Sequence, residues 1–204
     1  MRQRIRTPYL DGAWQPRRRR PAEPVTDPYT GRRLAWLVAG DEGDLDDAIA
    51  GAGRGARALA AMPRHQRAGI LETVSSLLRE EGDGLARLIA RDAGKPLALA
   101  AAEVSRAVLV FRQAAEAARR FGVEAAPADG DARGTAMTAR VERFPIGVIA
   151  AIAPFNFPLN LVAHKVAPAI AAGNAVVLKP PPQAPLAAFR LAELLTKAGL
   201  PPGG

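Results

Sequence analysis

The stretch GVIAAIAPFNFPLNLVAHKVAPAIAAGNAVVLKP, Gly147–Pro180, decides how the 204-residue chain is read. "GVIAAIAP" is an uncharged run rich in β-branched residues, the pattern of a strand covered on both faces. "LNLVAHKVAPAIAAG" then carries apolar residues at helical spacing, and "NAVVLKP" repeats the strand pattern. "APLAAFRLAELLTKAG" supplies a second helix. Strand, helix, strand, helix is the sequence form of a parallel sheet with right-handed crossovers. Such doubly wound sheets usually have about five or six strands. Two strands and a stop at "LPPGG" therefore predict a fold cut off part-way.

Working upstream, "MTARVERFPIG" alternates as a strand exposed on one face, and "APADGDARGTA" is a polar connector. Before it, Asp44 is the expected N-cap of the first of four consecutive helices. Pro63 stands near the start of the second, Gly82 separates the second from the third, Gly94-Lys95-Pro96 stops the third, and the fourth runs to Gly122. Residues 1–40 are β in character. "TPYLDGAW" reads as a hairpin around Asp11-Gly12, and "PVTDPYTGRRLAWLVAG" as a turn followed by a second strand pair. "GAGRGA" at residues 51–56 looks like a dinucleotide fingerprint, but it lacks the G-x-G-x-x-G spacing and lies in a helix, so it is set aside.

Composition narrows the function classes. At 49% hydrophobic and 24% charged the chain is globular. No apolar run approaches the roughly 18 residues of a membrane span, and the basic N-terminus has no apolar segment behind it. A cytoplasmic protein is expected. There is no cysteine, which removes disulfides, thiolate metal sites and cysteine nucleophiles; two histidines make a histidine zinc site improbable. The net charge of +8 and the run Arg17–Arg20 raise nucleic acid as a partner. No aromatics are interleaved for base stacking, so the run reads as a solvated turn and no nucleic-acid partner is expected.

Open parallel sheets bind ligands beyond the carboxyl ends of their strands. Here those ends deliver Pro154-Phe-Asn-Phe-Pro158 and Lys179-Pro-Pro-Pro-Gln183, both stiffened by proline. The Asn156 amide is a neutral donor suited to an oxyanion that develops on a carbonyl. Lys179 is a cation suited to phosphate or ribose hydroxyls. The bland readings are a loop amide that holds its own turn and a solvated lysine; the residues alone leave both open.

"PFNFPLNLVAHKVAPAIAAGNAVVLKPPPQAPLAAFRLAELLTKAGLPPG" resembles the NAD(P)-dependent aldehyde dehydrogenase superfamily, with its P-[FW]-N-F-P-L turn, K-x-A-P-A-[LI]-A-A-G-N helix end and V-[LM]-K-P strand end in order. "DPYTGRRLAWL" and "DAGKPLALAAAEV" resemble earlier family segments. The resemblance implies an α/β fold, the N-terminal part of a Rossmann-like cofactor domain with β-hairpins, a helical layer and an incomplete βαβα sheet. It implies cofactor-domain residues at 1–126, a connector and oligomerisation β-arm at 127–145, and the start of the dinucleotide sheet at 146–204. It implies that Asn156 is the oxyanion-hole donor, that Ile152 and Phe155 line the cofactor cleft, and that Lys179 contacts the adenosine ribose. Pro182 falls where many NAD-preferring members carry a glutamate on the ribose 2′-hydroxyl, so NAD or NADP remains open. The partners implied are a small aldehyde, nearest those of lactaldehyde or phosphonylated-aldehyde enzymes, and further copies of the full-length protein, through the strand at 135–144. The family's reaction needs a cysteine thiolate, which forms a thiohemiacetal, and a glutamate that assists hydrolysis. This chain has no cysteine, and both family segments would lie beyond Gly204. Residues 1–204 alone are expected not to turn over. The other reading is a short non-catalytic product that binds a full-length subunit or a nucleotide.

Overall fold

A computed structural model describes residues 5–16 and 20–204. Three of the four arginines in the run at 17–20 lie outside the described residues. The fourth, Arg20, makes an ion pair with Asp41 at 3.0 Å and another with the buried Asp44.

Two small sheets open the chain. Tyr9–Leu10 (β2) pairs antiparallel with Ala13–Trp14 (β3), and Asp11 and Gly12 both take positive φ at the turn, 50° and 79°. This is the two-residue hairpin that Asp-Gly predicts. Glu23–Thr26 (β4) pairs antiparallel with Arg33–Leu37 (β5), and Ile5–Arg6 (β1) adds to β5 in parallel. The β1 pairing has no sequence signal, since two residues carry no periodicity.

Four helices follow: Glu42–Ala61 (α1), Arg64–Glu80 (α2), Gly82–Ala93 (α3) and Leu97–Arg120 (α4). The first starts earlier than expected. Asp41, not Asp44, is the N-cap; its side chain accepts the Asp44 N–H at 2.9 Å, while the Asp44 carboxylate accepts the Asp41 N–H at 3.0 Å. Asp44 is thus the third residue of a capping box. Gly94 ends α3 in the left-handed conformation, φ 63°. α2 packs along α4, and α3 and α4 pack together.

The connector contains a strand not anticipated, Glu124–Ala126 (β6), which pairs antiparallel with Ala139–Val141 (β7). β7 is three residues long, shorter than the 135–144 strand expected, and its partner lies in the same chain.

Val148–Ile152 (β8), Asn160–Ala171 (α5), Ala175–Lys179 (β9) and Leu186–Lys197 (α6) complete the chain in the expected order. β8 and β9 are parallel. Their burial departs from the reading as covered strands. Ala151 is buried, but Val148 and Ile152 are 38% and 66% exposed, because the described residues form a sheet of only these two strands. The main core joins all six helices through Leu59, Leu71, Ile89, Phe111, Ile170 and Leu194, each 0% exposed. The residues read as a false fingerprint do lie in α1, where they form a trough. Gly51 and Gly55 are buried, and the Gly203 backbone lies directly on them, so a Cβ at Gly55 would overlap the Gly203 carbonyl.

Candidate active site

The β8–β9 register sets Ile152 opposite Lys179, and the Ala153 N–H donates to the Lys179 carbonyl at 3.2 Å. The two strands therefore end level with each other. The Pro154–Pro158 turn and the Lys179–Gln183 loop leave from adjacent points on one rim, the carboxyl ends of a parallel pair. All five residues singled out from sequence face solvent near this rim. Ile152 and Phe155 are 66% and 56% exposed, and Asn156, Lys179 and Pro182 are also exposed. Exposed apolar side chains beside an exposed amide and a cation suit a ligand that is part ring and part polar.

What holds the two loops was not foreseen. Glu103, on α4 and 1% exposed, accepts the N–H groups of Leu159 at 2.9 Å and Asn160 at 3.1 Å. A carboxylate here satisfies donors that α5 leaves open at its first turn, where the dipole favours negative charge. The Glu103 carboxylate also binds Lys95 Nζ, which donates to the Asn156 carbonyl at 2.7 Å and lies 4.1 Å from the centre of the Phe157 ring. On α3, Asp92, 1% exposed, accepts the Leu186 N–H at 2.7 Å and so caps α6 beyond the second loop. Burial pushes the Asp92 carboxyl up to about 7, against the opposing pull of the Leu186 and Ala187 N–H groups. Its Oδ1 has no hydrogen-bond partner among the described residues. Lys95 and Glu103 lie in "GKPLALAAAEV", quoted above only as a resemblance; that motif was the available signal.

The opposite end of the strands is tied differently. The Asn174 side chain accepts the Gly147 N–H at 2.9 Å, and buried Arg67 donates to the Leu59 carbonyl at 3.1 Å and the Ala171 carbonyl at 3.3 Å. Burial, and then the neighbouring Arg64 charge, lowers the pKa of Arg67. A cleft of about 930 Å³ lies at this end between Arg67, Arg119, Phe144 and Ala172, away from the predicted site residues. Among the described residues no group of three or more histidine, aspartate or glutamate side chains is placed to hold a metal. No helix among them is long and apolar enough to cross a membrane.

Residues 14–204 match the aldehyde dehydrogenase family model. The chain belongs to the aldehyde dehydrogenase family. It is 42% identical over 177 residues to aspartate-semialdehyde dehydrogenase 1 of Pseudomonas canavaninivorans, covering 87% of this chain and 38% of that protein. It is 37% identical over 198 residues to 3-sulfolactaldehyde dehydrogenase of Priestia aryabhattai, covering 96% and 40%. The crystal structure of aldehyde dehydrogenase 21 from Physcomitrella patens, in complex with its reaction product succinate, superposes with a TM-score of 0.92 at 38% identity, over 100% of this chain and 42% of that one. NADP-dependent glyceraldehyde-3-phosphate dehydrogenase from Bacillus halodurans C-125, complexed with NADP, gives 0.92 at 35% identity, over 98% and 42%. PnpE, in complex with nicotinamide adenine dinucleotide, gives 0.88 at 32% identity, over 97% and 40%. The chain thus spans about two fifths of the length of these relatives. The α/β architecture expected from the sequence is that of the family's N-terminal region, and two of these solved neighbours carry NADP and NAD.

Proposed function

We propose that this chain is the nucleotide- and oxyanion-binding part of an NAD(P)-dependent aldehyde dehydrogenase, cytoplasmic, acting on a small anionic aldehyde. The observation that carries the reading is the level ending of β8 and β9, with Ile152 opposite Lys179, which gives Asn156 and Lys179 one rim. In this reading the Asn156 amide donates to the aldehyde oxygen as the carbonyl becomes tetrahedral, a contribution of about 3–4 kcal/mol for such a donor. Lys179 binds ribose hydroxyls, while Ile152 and Phe155 form the apolar wall of the cofactor cleft. Bound NAD(P)+ supplies the hydride acceptor. The residues present fit its adenosine half, since the exposed lysine stands beside exposed apolar side chains and no carboxylate occupies position 182. The semialdehyde, sulfonated and phosphorylated names among the relatives support an anionic substrate.

The thiolate nucleophile has to come from outside these 204 residues, which contain no cysteine. The chain alone is inactive as a dehydrogenase in this account. The β6–β7 ribbon, with Met137, Val141 and Phe144 at 65%, 42% and 74% exposed, is the surface proposed for contact with a second copy. Two assays test the reading. Calorimetric titration with ADP-ribose is expected to show binding that Lys179→Ala weakens; equal affinity in the variant removes Lys179 from the site. Incubating the purified chain with NAD(P)+ and a panel of aldehydes is expected to give no NAD(P)H. Robust formation overturns the inactivity.

A further inference from the structure

We propose that Lys95 and Glu103 act as positioning residues for Asn156: their buried ion pair clamps the peptide segment that carries the amide. The inference rests on the reading of Asn156 as the oxyanion donor.

The turn after β8 has few fixings of its own. Asn156 is exposed, and α5 starts without a side-chain cap from its own N-cap residue, Leu159. Instead both ends of the five residues from Asn156 to Asn160 are held from the helical layer. Lys95 Nζ fixes the carbonyl end at Asn156, at 2.7 Å, and Glu103 Oε1 fixes the amide end at Leu159 and Asn160, at 2.9 and 3.1 Å. The remaining carboxylate oxygen, Oε2, joins the two clamps through Lys95. Each partner therefore completes the other. The Glu103 side chain is 0% exposed and the Lys95 side chain 13%, so the pair lies largely out of water and either charge alone is strongly unfavourable there. The Phe157 ring face, 4.1 Å from Nζ, takes up the remaining side of the ammonium. Lys95 and Glu103 sit eight positions apart, on the α3–α4 connector and on α4, and reach across 61 and 56 positions to the turn. A rigid helix pair thus sets the orientation of an exposed amide on a loop, the support that a preorganised donor requires.

The test is residue-resolved hydrogen exchange and the Asn156 side-chain amide resonances in the 204-residue chain, for wild type, Lys95→Met, Lys95→Arg and the double variant Lys95→Met/Glu103→Gln. Amides of Leu71, Val74 and Leu78 in α2 report global opening. The expected result for Lys95→Met is exchange at Leu159 and Asn160 faster by about ten-fold or more, with α2 unchanged and the Asn156 side-chain peaks displaced. Lys95→Arg, which keeps the charge and donors, is expected to return both toward wild type. Should Lys95→Met fail to fold, the double variant, which leaves no buried unpaired charge, gives the same readouts. Equal acceleration in α2 and in the turn, or an unmoved turn and unmoved Asn156 peaks, overturns the proposal. Absence of nucleotide binding would sink the site reading while leaving this exchange pattern in place.

Discussion

Asp92 and Leu186 stand 94 positions apart in the chain, and the carboxylate of the first accepts the N–H of the second at 2.7 Å. A buried acid on α3 therefore begins α6, as Glu103 on α4 begins α5.

Asp92 gives the chain a pH-dependent stability. Its folded carboxyl, at about 7 against an ordinary 3.8, binds its proton more tightly than the unfolded chain does. The stabilising contribution is therefore full below about pH 4 and is lost as the pH rises to about 7. At about 1.4 kcal/mol per pK unit the ceiling is about 4 kcal/mol. Urea midpoints measured from pH 4.5 to 8 are expected to fall with pH in wild type. Asp92→Asn is expected to flatten that fall, and an equally steep fall in the variant assigns it to other groups.

The trough in α1 predicts opposite outcomes for two glycines in one motif. A Cβ at Gly55 meets the Gly203 backbone, whereas one at Gly53 meets nothing within 4 Å. Gly55→Ala is expected to cost about 2 kcal/mol through overpacking. Gly53→Ala is expected to stabilise by about 0.5–1 kcal/mol through helix propensity. Chemical denaturation of the two variants side by side settles the sign of each.

Arg67 closes three carbonyls, those of Leu59, Met62 and Ala171, where α1 and α5 end. Arg67→Met keeps most of the side-chain volume but leaves these acceptors without their donor. A loss of about 3 kcal/mol in unfolding free energy is expected. A loss below about 1 kcal/mol would show that the carbonyls find other donors.

In the proposed site, position 182 would bear on nucleotide choice. Pro182 is exposed on the loop after β9 and offers no charge against a 2′-phosphate. Pro182→Glu is expected to weaken binding of 2′,5′-ADP relative to 5′-ADP by about ten-fold. Titration calorimetry of both nucleotides reads the ratio, and an unchanged ratio places the 2′ position elsewhere.

Local pattern made much of the architecture legible. The Asp11-Gly12 hairpin, the glycine that ends α3 and the βαβα order follow from turn chemistry and periodicity, which act over a few residues. Asn156 and Lys179 were nominated from sequence because strand ends are privileged places in a parallel sheet. Their supports were not. Glu103 looks like any helical glutamate until Leu159, 56 positions away, is brought against it, and nothing local in Asp92 announces Leu186. The β6–β7 pairing escaped for a related reason: "EAA" and "ARV" are too short to alternate visibly. The expected burial of β8 failed because its uncharged run suits a strand with neighbours on both sides, and the described residues supply only β9.

The two carboxylate anchors separate address from content. The loops at 154–158 and 180–185 carry the side chains proposed to meet a ligand, but the helix starts that fix where each loop ends are held from α3 and α4. Exchanging residues within a loop changes what a ligand touches while its far end stays pinned from outside. Such a frame lets loop side chains change without renegotiating the fold, so variation is expected to be best tolerated at exposed positions such as Pro182 and worst at Asp92, Lys95 and Glu103.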